Sequence, residues 1–466
     1  MHLVTNSPYP SWLNPGDNAW QLVAATLVGL MSLPGIAVLY GGLVQKKWIV
    51  NTMMMAFSGF AMTLIVWVLW GYNMAFPTTF VHLFGQSSGI FSAMIGKPWP
   101  TLSHTALQSQ ASSQAQTLVP WHFPTATLAY FQVVFAAITP LLFLGSLLGR
   151  MKFKAWLLFV PLWITFVYCI NAGLLWGGGF FALKGAVDYS GGYVIHLAAG
   201  VTGFIGAAIV GPRLKRDKTT VPSNLMMVAI GAGILWMGWN GFNGGDPFYA
   251  GADAASAVLN TNISTAVALM TWVLMDMFFS KQKKPTFLGA INGMIVGLVA
   301  ITPSAGWMNG LGAILVGLIS SAVVWVAWNY LSKVRPFSKV DDALGVVYTH
   351  GIAGLLGGLM VGIFADPGMT QYGKGNDFSG GGSFSVGGWF YNGHSFHQLW
   401  EQFLAAAWII CYTGIMSAIL FYVVKFVCRG LREKDEVLEI GDLAIHDEEA
   451  FPIETFAERV SSLRGQ

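Results

Sequence analysis

Eleven runs of mostly apolar residues, each close to the length of a bilayer crossing, constrain this 466-residue chain more than any other feature. A helix covers a hydrocarbon core of about 30 Å with about 20 apolar residues. Cut at polar and Gly/Pro breaks, the runs fall near 19–43, 51–76, 124–148, 155–175, 190–211, 222–245, 255–279, 285–303, 308–332, 343–366 and 398–428. Soluble domains carry about a quarter of charged residues; here the fraction is 10%, with 55% hydrophobic. Lipid offers the backbone no hydrogen bonds, so spanning segments must satisfy their own. The predicted fold is an all-α polytopic membrane protein with eleven transmembrane helices.

Basic residues set the orientation. Placing residue 1 outside puts 21 of the 24 Lys and Arg in inner loops or the C-terminal end, leaving only Lys97, Lys184 and Lys374 outside. The positive-inside rule then predicts a multi-pass cell-membrane protein, N-terminus outside and C-terminus cytoplasmic. The polar stretch before Trp20 lacks the basic, apolar, small-residue pattern of a cleaved leader and reads as a short translocated tail. The net charge of +3 reflects this loop bias and gives no indication of a nucleic-acid partner. Cys169, Cys411 and Cys428 sit in or beside apolar segments without metal-ligand spacing and read as inert buried thiols.

Two domains follow: a membrane domain over 1–429 and a charged cytoplasmic tail over 430–466. The long outer loops, 77–123 with its Ser/Gln-rich run Leu107–Thr117 and 367–396 with Gly380–Gly382, read as surface without evident chemistry.

Inside the membrane domain is a repeat. Asp188-Tyr-Ser-Gly191 leads to His196, Gly200 and Gly203; Asp342-Ala-Leu-Gly345 leads to His350, Gly354 and Gly357. Both fit Asp-x2-Gly-x4-His-x3-Gly-x2-Gly, and Ala-Ile-Thr-Pro precedes each, at 137–140 and 300–303. The first copy enters its helix from outside and the second from inside, so the expected architecture is an inverted five-helix pseudo-repeat plus a final helix, with the path between the halves. Eight helical residues rise about 12 Å, which brings the two histidines toward the midplane from opposite sides.

Of nine histidines only His196 and His350 lie deep within apolar spans. Ionisable side chains there usually face a cavity or a partner; the structural alternative is a polar core residue bonding between helices. A charged imidazole loses hydration on burial, so the pair is expected neutral, offering one donor and one acceptor nitrogen. That lining suits a small polar molecule or a proton relay better than a bare cation. Asp188 and Asp342 begin helices, where a carboxylate caps free amides; proton handling is the alternative. Phe131 and Phe135, Trp176, and Trp239 and Phe242 gather toward the outer side. Aromatic faces hold an ammonium-like cation by roughly 0.5–2 kcal/mol each, although interface belts also collect aromatics.

At this point the chain resembles the Amt/Mep/Rh ammonium transporter family, its Amt branch in particular, from about Asp17 to Phe451. The residues carrying the likeness are Asp17-Asn-Ala-Trp20, Pro34-Gly-Ile-Ala37 before Tyr40-Gly-Gly42, Trp176-Gly-Gly-Gly179, Asp188 to His196, Gly238-Trp-Asn-Gly-Phe-Asn243, and Asp341-Asp342 to His350-Gly351. The resemblance implies ammonium or ammonia as substrate, a homotrimer with one pore per subunit, and neither enzyme activity nor a cofactor or metal. By position, Phe131, Phe135 and Trp176 resemble the outer recruitment site, Phe135 and Phe242 the gate, and His196 and His350 the pore histidines. Ile36, Leu39, Tyr40, Trp239 and Val346 would line the conduit, and Asp188 would support the outer site.

Two departures stand out. Asp246 occupies a position where many members carry a serine, and is expected either to attract cations there or to be a solvated loop carboxylate. In the tail, Gly441-Asp442 and His446 to Phe451 resemble the family's Gly-Asp and His-Gly-Glu motif, with Asp447 in place of glycine. Docking across subunits, or of a nitrogen-regulatory signal protein, is the role implied. Rival readings are a cation channel, which lacks a carbonyl-filter signature, an intramembrane metalloenzyme, which lacks an HExxH run, and an ammonium sensor of low flux.

Overall fold

The computed structural model describes residues 9–111, 121–219, 222–369 and 385–451. Parts of the Ser/Gln-rich run, Gly380–Gly382 and the end of the tail lie outside them. Eleven apolar helices run through the described residues. They are α1 (Pro15–Leu43), α2 (Lys46–Ala75), α3 (Thr125–Leu147), α4 (Phe153–Lys184, interrupted by a turn at Trp176–Gly179), α5 (Gly192–Val210) and α6 (Leu225–Gly244). The rest are α7 (Ala252–Phe279), α8 (Phe287–Ile301), α9 (Gly310–Lys333), α10 (Val347–Phe364) and α11 (His397–Val427). Each meets one predicted run, and the protein is an all-α polytopic membrane protein.

Burial organises the bundle. α3 is almost wholly buried and packs against α1, α2 and α5; α6 lies on α1, α7 on α8 and α9, and α11 on α5 and α10. Large apolar side chains such as Leu22, Phe57, Ile65, Met226, Ile230, Leu259, Leu311, Ile415 and Phe426 cover the outside, the pattern of a lipid-facing surface. Cys411 is among these exposed positions, which corrects the reading of three buried thiols: an apolar run does not say which helix face meets lipid.

α8 has 15 residues, about 22 Å of rise, less than a full crossing. Beyond Ile301 the chain turns through Thr302–Met308, all buried, where irregular backbone is tolerated because protein surrounds it. Pro303 stands in that turn, packed against Gly192.

The loops joining α1–α2, α3–α4, α5–α6 and α9–α10 and the start of the tail meet on one face, termed the basic face. Arg150 is fully buried there and donates to the carbonyls of Leu148, Gly211 and Asp341. Arg213 grips the Asp341 carboxylate through its main-chain and side-chain N–H groups. Burial alone would raise that carboxyl, but the Arg213 hydrogen bonds and charge, with Arg150, hold it at about 2. Lys47 pairs with Asp217.

The described part of the tail folds onto this chain's own basic face. Asp442 accepts hydrogen bonds from the main-chain N–H of Val50 (2.7 Å) and Asn51 (2.8 Å), supplying from afar the cap that the start of α2 lacks locally. Lys47 Nζ donates to the Leu438 carbonyl, and His446 Nε2 lies 3.0 Å from Asn51 Oδ1. The helix Asp442–His446 ends at Asp447, with φ 56° and ψ 30°. This left-handed conformation favours glycine, and Asp tolerates it better than most residues. Replacing Asp447 with glycine removes strain of up to about 1 kcal/mol. The Asp447→Gly protein is therefore expected to hold its tail more tightly, read as slower cleavage of the tail by a soluble protease at unchanged bundle stability.

Candidate functional site

The two repeat segments fold alike. Gly191 (φ 105°) and Gly345 (φ 75°) take backbone conformations that side chains resist, and each is followed by a wide six-residue turn, Gly192–Leu197 and Val347–Ile352, that opens α5 and α10. Asp188 Oδ2 accepts from the N–H groups of Tyr193 and Val194. Asp342 accepts from those of Gly345, Val346 and Val347 and from Ser146 Oγ. Both aspartates hold helix starts.

The helices begin later than the spacing suggested. His196 is four residues into α5, at most about 6 Å of rise rather than 12, so the starts of α5 and α10 are themselves recessed and overlap. Glycine permits the overlap: a Cβ on Gly200 would strike the backbone of Gly351, and one on Gly354 would strike Gly192 and His196. Each repeat glycine thus receives the histidine turn of the other half.

As a result His196 Nδ1 and His350 Nδ1 lie 3.2 Å apart, with ring centroids 5.3 Å apart and planes 20° from parallel. His196 is fully buried and His350 nearly so. A contact of this length fits one Nδ1–H between two uncharged rings, an arrangement that would leave a bare Nε2 on one ring and an Nε2–H on the other. His196 Nε2 makes no hydrogen bond within the protein.

Above this pair lies a column of rings. Trp239 stacks on His196 at 5.4 Å and 17°; Phe242 lies 5.0 Å from Trp239 and 6.1 Å from His196. Phe242 stacks on Phe135 at 4.2 Å and 22°. Phe135 touches Phe131 (4.8 Å) and stands edge-on to Trp176 (6.3 Å, 87°). Trp176 is held in turn by its Nε1–H on the Asp188 carbonyl, 2.6 Å. Phe131, Phe135 and Phe242 are fully buried. Five aromatic positions singled out in the sequence, from α3, α4 and α6, come together in one stack.

On the other side of the histidines a cavity of about 300 Å³ reaches toward the basic face, lined near His350 by Leu39, Tyr40, Val346 and Thr349 and farther out by Arg213 and Asp217. Tyr40 Oη donates to the Leu142 carbonyl. Ile36 is buried in α1 but does not line this cavity. Asp342 serves the start of α10 from that side. Asp246 follows α6, only partly covered as a residue, yet its Oδ2 is buried without a hydrogen bond. It is not a solvated loop carboxylate.

Thr302, Phe248, Tyr168 and Ser190 escaped the sequence reading. Thr302, inside the repeated Ala-Ile-Thr-Pro, accepts the Trp239 Nε1–H at 2.9 Å and so fixes the indole on His196. Phe248 leans on Phe131 (5.8 Å) and is covered by Trp121 (4.4 Å) and Phe123 (6.3 Å), so the first long loop contributes packing to the ring column. Tyr168 and Ser190 are buried beside Asp188 and Asp246. Only Thr302 carried a signal, its tetrapeptide being repeated.

The sequence profile of the Ammonium Transporter Family matches residues 19–451. Ammonium transporter 3 member 1 of Oryza sativa subsp. japonica is 44% identical over 463 residues, 98% of this chain and 91% of that protein. Ammonium transporter 2 of Arabidopsis thaliana is 43% identical over 98% of this chain and 92% of its own length. Among solved structures, Saccharomyces cerevisiae Mep2 superimposes with a TM-score of 0.76 at 27% identity, covering 91% of this chain and 90% of that one. Candida albicans Mep2 shares the fold, with a TM-score of 0.77 at 24% identity over 96% and 95% of the two chains. This chain belongs to the ammonium transporter family.

Proposed function

We propose that the chain moves ammonium nitrogen across a cell membrane by capturing ammonium at the ring column, removing one proton, and passing ammonia between His196 and His350. The single observation carrying this reading is the 3.2 Å contact between the two Nδ1 atoms beneath stacked Phe135 and Phe242. The names of the relatives supply the substrate: both plant proteins are ammonium transporters.

Physical chemistry divides the path into two parts. Phe131, Phe135 and Trp176 offer ring faces to a cation, and Asp246 adds negative charge beside Phe131, whose ring rests on neighbouring Gly245. Below the gate formed by Phe135 and Phe242, an ion would exchange its water shell for neutral imidazole and hydrocarbon, which replace only part of it. Ammonia carries no such debt, and it can both donate and accept, matching the bare Nε2 and the Nε2–H of the pair. Leu39, Tyr40, Trp239 and Val346 then form apolar walls, with Ile36 supporting them from α1. Asp188 and Asp342 serve the helix starts, Asp188 with a further part in handling the proton.

In this reading the basic face is cytoplasmic and the ring column opens outside, following the distribution of Lys and Arg. The protein works as a homotrimer with a pore in each subunit. Residues 1–429 form the transport domain, while the tail from 430 regulates it and can present the basic face to a nitrogen-regulatory signal protein.

Proteoliposomes given an inward ammonium gradient test the proposal, with internal pH and current recorded. The wild type is expected to show saturable flux. His196→Ala and His350→Ala, with unchanged thermal unfolding, are expected to lose at least about tenfold of it, the equivalent of about 1.4 kcal/mol. Unchanged flux in both would overturn the reading. Thr302→Val frees the Trp239 indole from its acceptor, and a severalfold slower flux at nearly unchanged apparent affinity is expected in the same assay.

A further inference from the structure

The cavity beneath His350 has features that the passage of ammonia does not explain. At about 300 Å³ it reaches the size of small-molecule sites, well beyond what one nitrogen with its hydrogens needs. Part of its wall is apolar, formed by Leu43 on α1, Ile291 on α8 and Trp328 on α9, with the Asn292 amide beside them. Another part belongs to the basic face: Trp48 at the start of α2 and Arg213 after α5. Trp48 is 3% exposed, and its Nε1–H is buried without a hydrogen-bond partner. Indole donors find an acceptor when buried, and an orphaned one calls for a ligand or water.

Geometry joins this donor to a cation. Gly149 also lines the cavity, and a Cβ built on it would stand 3.5 Å from Trp48 Nε1 and 3.5 Å from Arg213 Cδ. Indole donor and arginine stem thus bound the same small space. Arg213 directs Nε and Nη2 to Asp341, which fixes its guanidinium in place. The carboxylates nearby are already engaged: Asp341 by Arg213 at 2.7 Å, and Asp217, which lines the cavity, by Lys47 at 3.2 Å and Arg216 at 3.8 Å. Lys218, an exposed part of the lining, joins no ion pair among the described residues. An unmet donor, a fixed guanidinium and a spare ammonium beside an apolar wall suit an anion carried on an apolar body.

We propose that this cavity binds a small organic anion, a carboxylate or sulfonate on an apolar body, which enters from water at the basic face. Its charged end accepts the Trp48 Nε1–H beside Arg213, with Lys218 attracting it at the opening, and its apolar end rests on Leu43, Ile291 and Trp328. A bound anion fills the space directly beneath His350 and closes the way out of the histidine pair. Such a ligand therefore inhibits transport from the basic face. The binding site stands on the cavity and its donors alone; the inhibition rests on the proposed transport function.

Two measurements on the full chain test it, with benzenesulfonate as probe because it stays ionised and crosses bilayers poorly. Thermal unfolding in lipid should shift upward and saturate with benzenesulfonate, as for any ligand of the folded state, but not with sulfate or benzyl alcohol, which lack the ring or the charge. Trp48→Phe keeps the bulk and removes the donor, and should raise the half-saturating concentration by about tenfold, the worth of a hydrogen bond to a charged group. Should Trp48→Phe not fold, the exposed Lys218→Gln decides, with a severalfold rise expected. In proteoliposomes of mixed orientation, benzenesulfonate on one side should remove part of the ammonium flux and on both sides nearly all, with Trp48→Phe resisting at the same concentrations. An equal shift with sulfate or benzyl alcohol, a shift that never saturates, or a deciding variant that responds like the wild type would overturn the inference and leave a water-filled exit. Saturable binding in wild-type protein that carries no ammonium would instead remove the transport reading and keep the site.

Discussion

The crossing of α5 and α10 is the constraint on which the rest of the molecule depends. Both helices start inside the bundle, and their first turns overlap because Gly200 and Gly354 have no side chain to prevent it. Any bulk there would separate the backbones, and the imidazole pair would separate with them. Starting a helix at depth exposes its free amides, which lipid cannot satisfy. Asp188 and Asp342 satisfy them from within, so the carboxylates and the histidines belong to one device used twice.

Around that crossing, each neighbouring element contributes a specific support. The early end of α8 places Thr302 under the Trp239 indole, and Trp239 keeps the His196 ring parallel to its own. The break in α4 frees Trp176 to bond the Asp188 carbonyl and stand against Phe135. Buried Arg150 ties the loops of the basic face, through which the cavity beneath His350 opens. The tail adds the cap at the start of α2, joining residues almost four hundred positions apart.

Much of this was legible in the residues alone, for a physical reason. Lipid imposes contiguous apolar runs, so each of the eleven helices announced itself, even short α8, predicted over 285–303 and found at Phe287–Ile301. Duplication marked the histidines, and ring chemistry marked Phe131, Phe135, Trp176, Trp239 and Phe242. Contacts set by tertiary approach were not legible. Nothing local to Gly245-Asp246 tells that its Oδ2 is buried, and nothing in Asp442 tells that it caps a distant helix. The Asp-to-His spacing does not tell that a left-handed glycine intervenes before the first turn, so that only part of it is helix. Asp447 reads as a departure from glycine in the sequence; its left-handed backbone explains why glycine would suit that position.

The proposed path depends on two uncharged rings sharing one proton at the centre of the bundle. Solid-state nitrogen NMR of the protein with labelled histidine, in lipid at pH 7, reads this directly. His196 and His350 should both be neutral, in opposite tautomers, with a coupling across a single Nδ1–H···Nδ1 bond. An imidazolium at either position, or the same tautomer at both with no coupling between them, would contradict it.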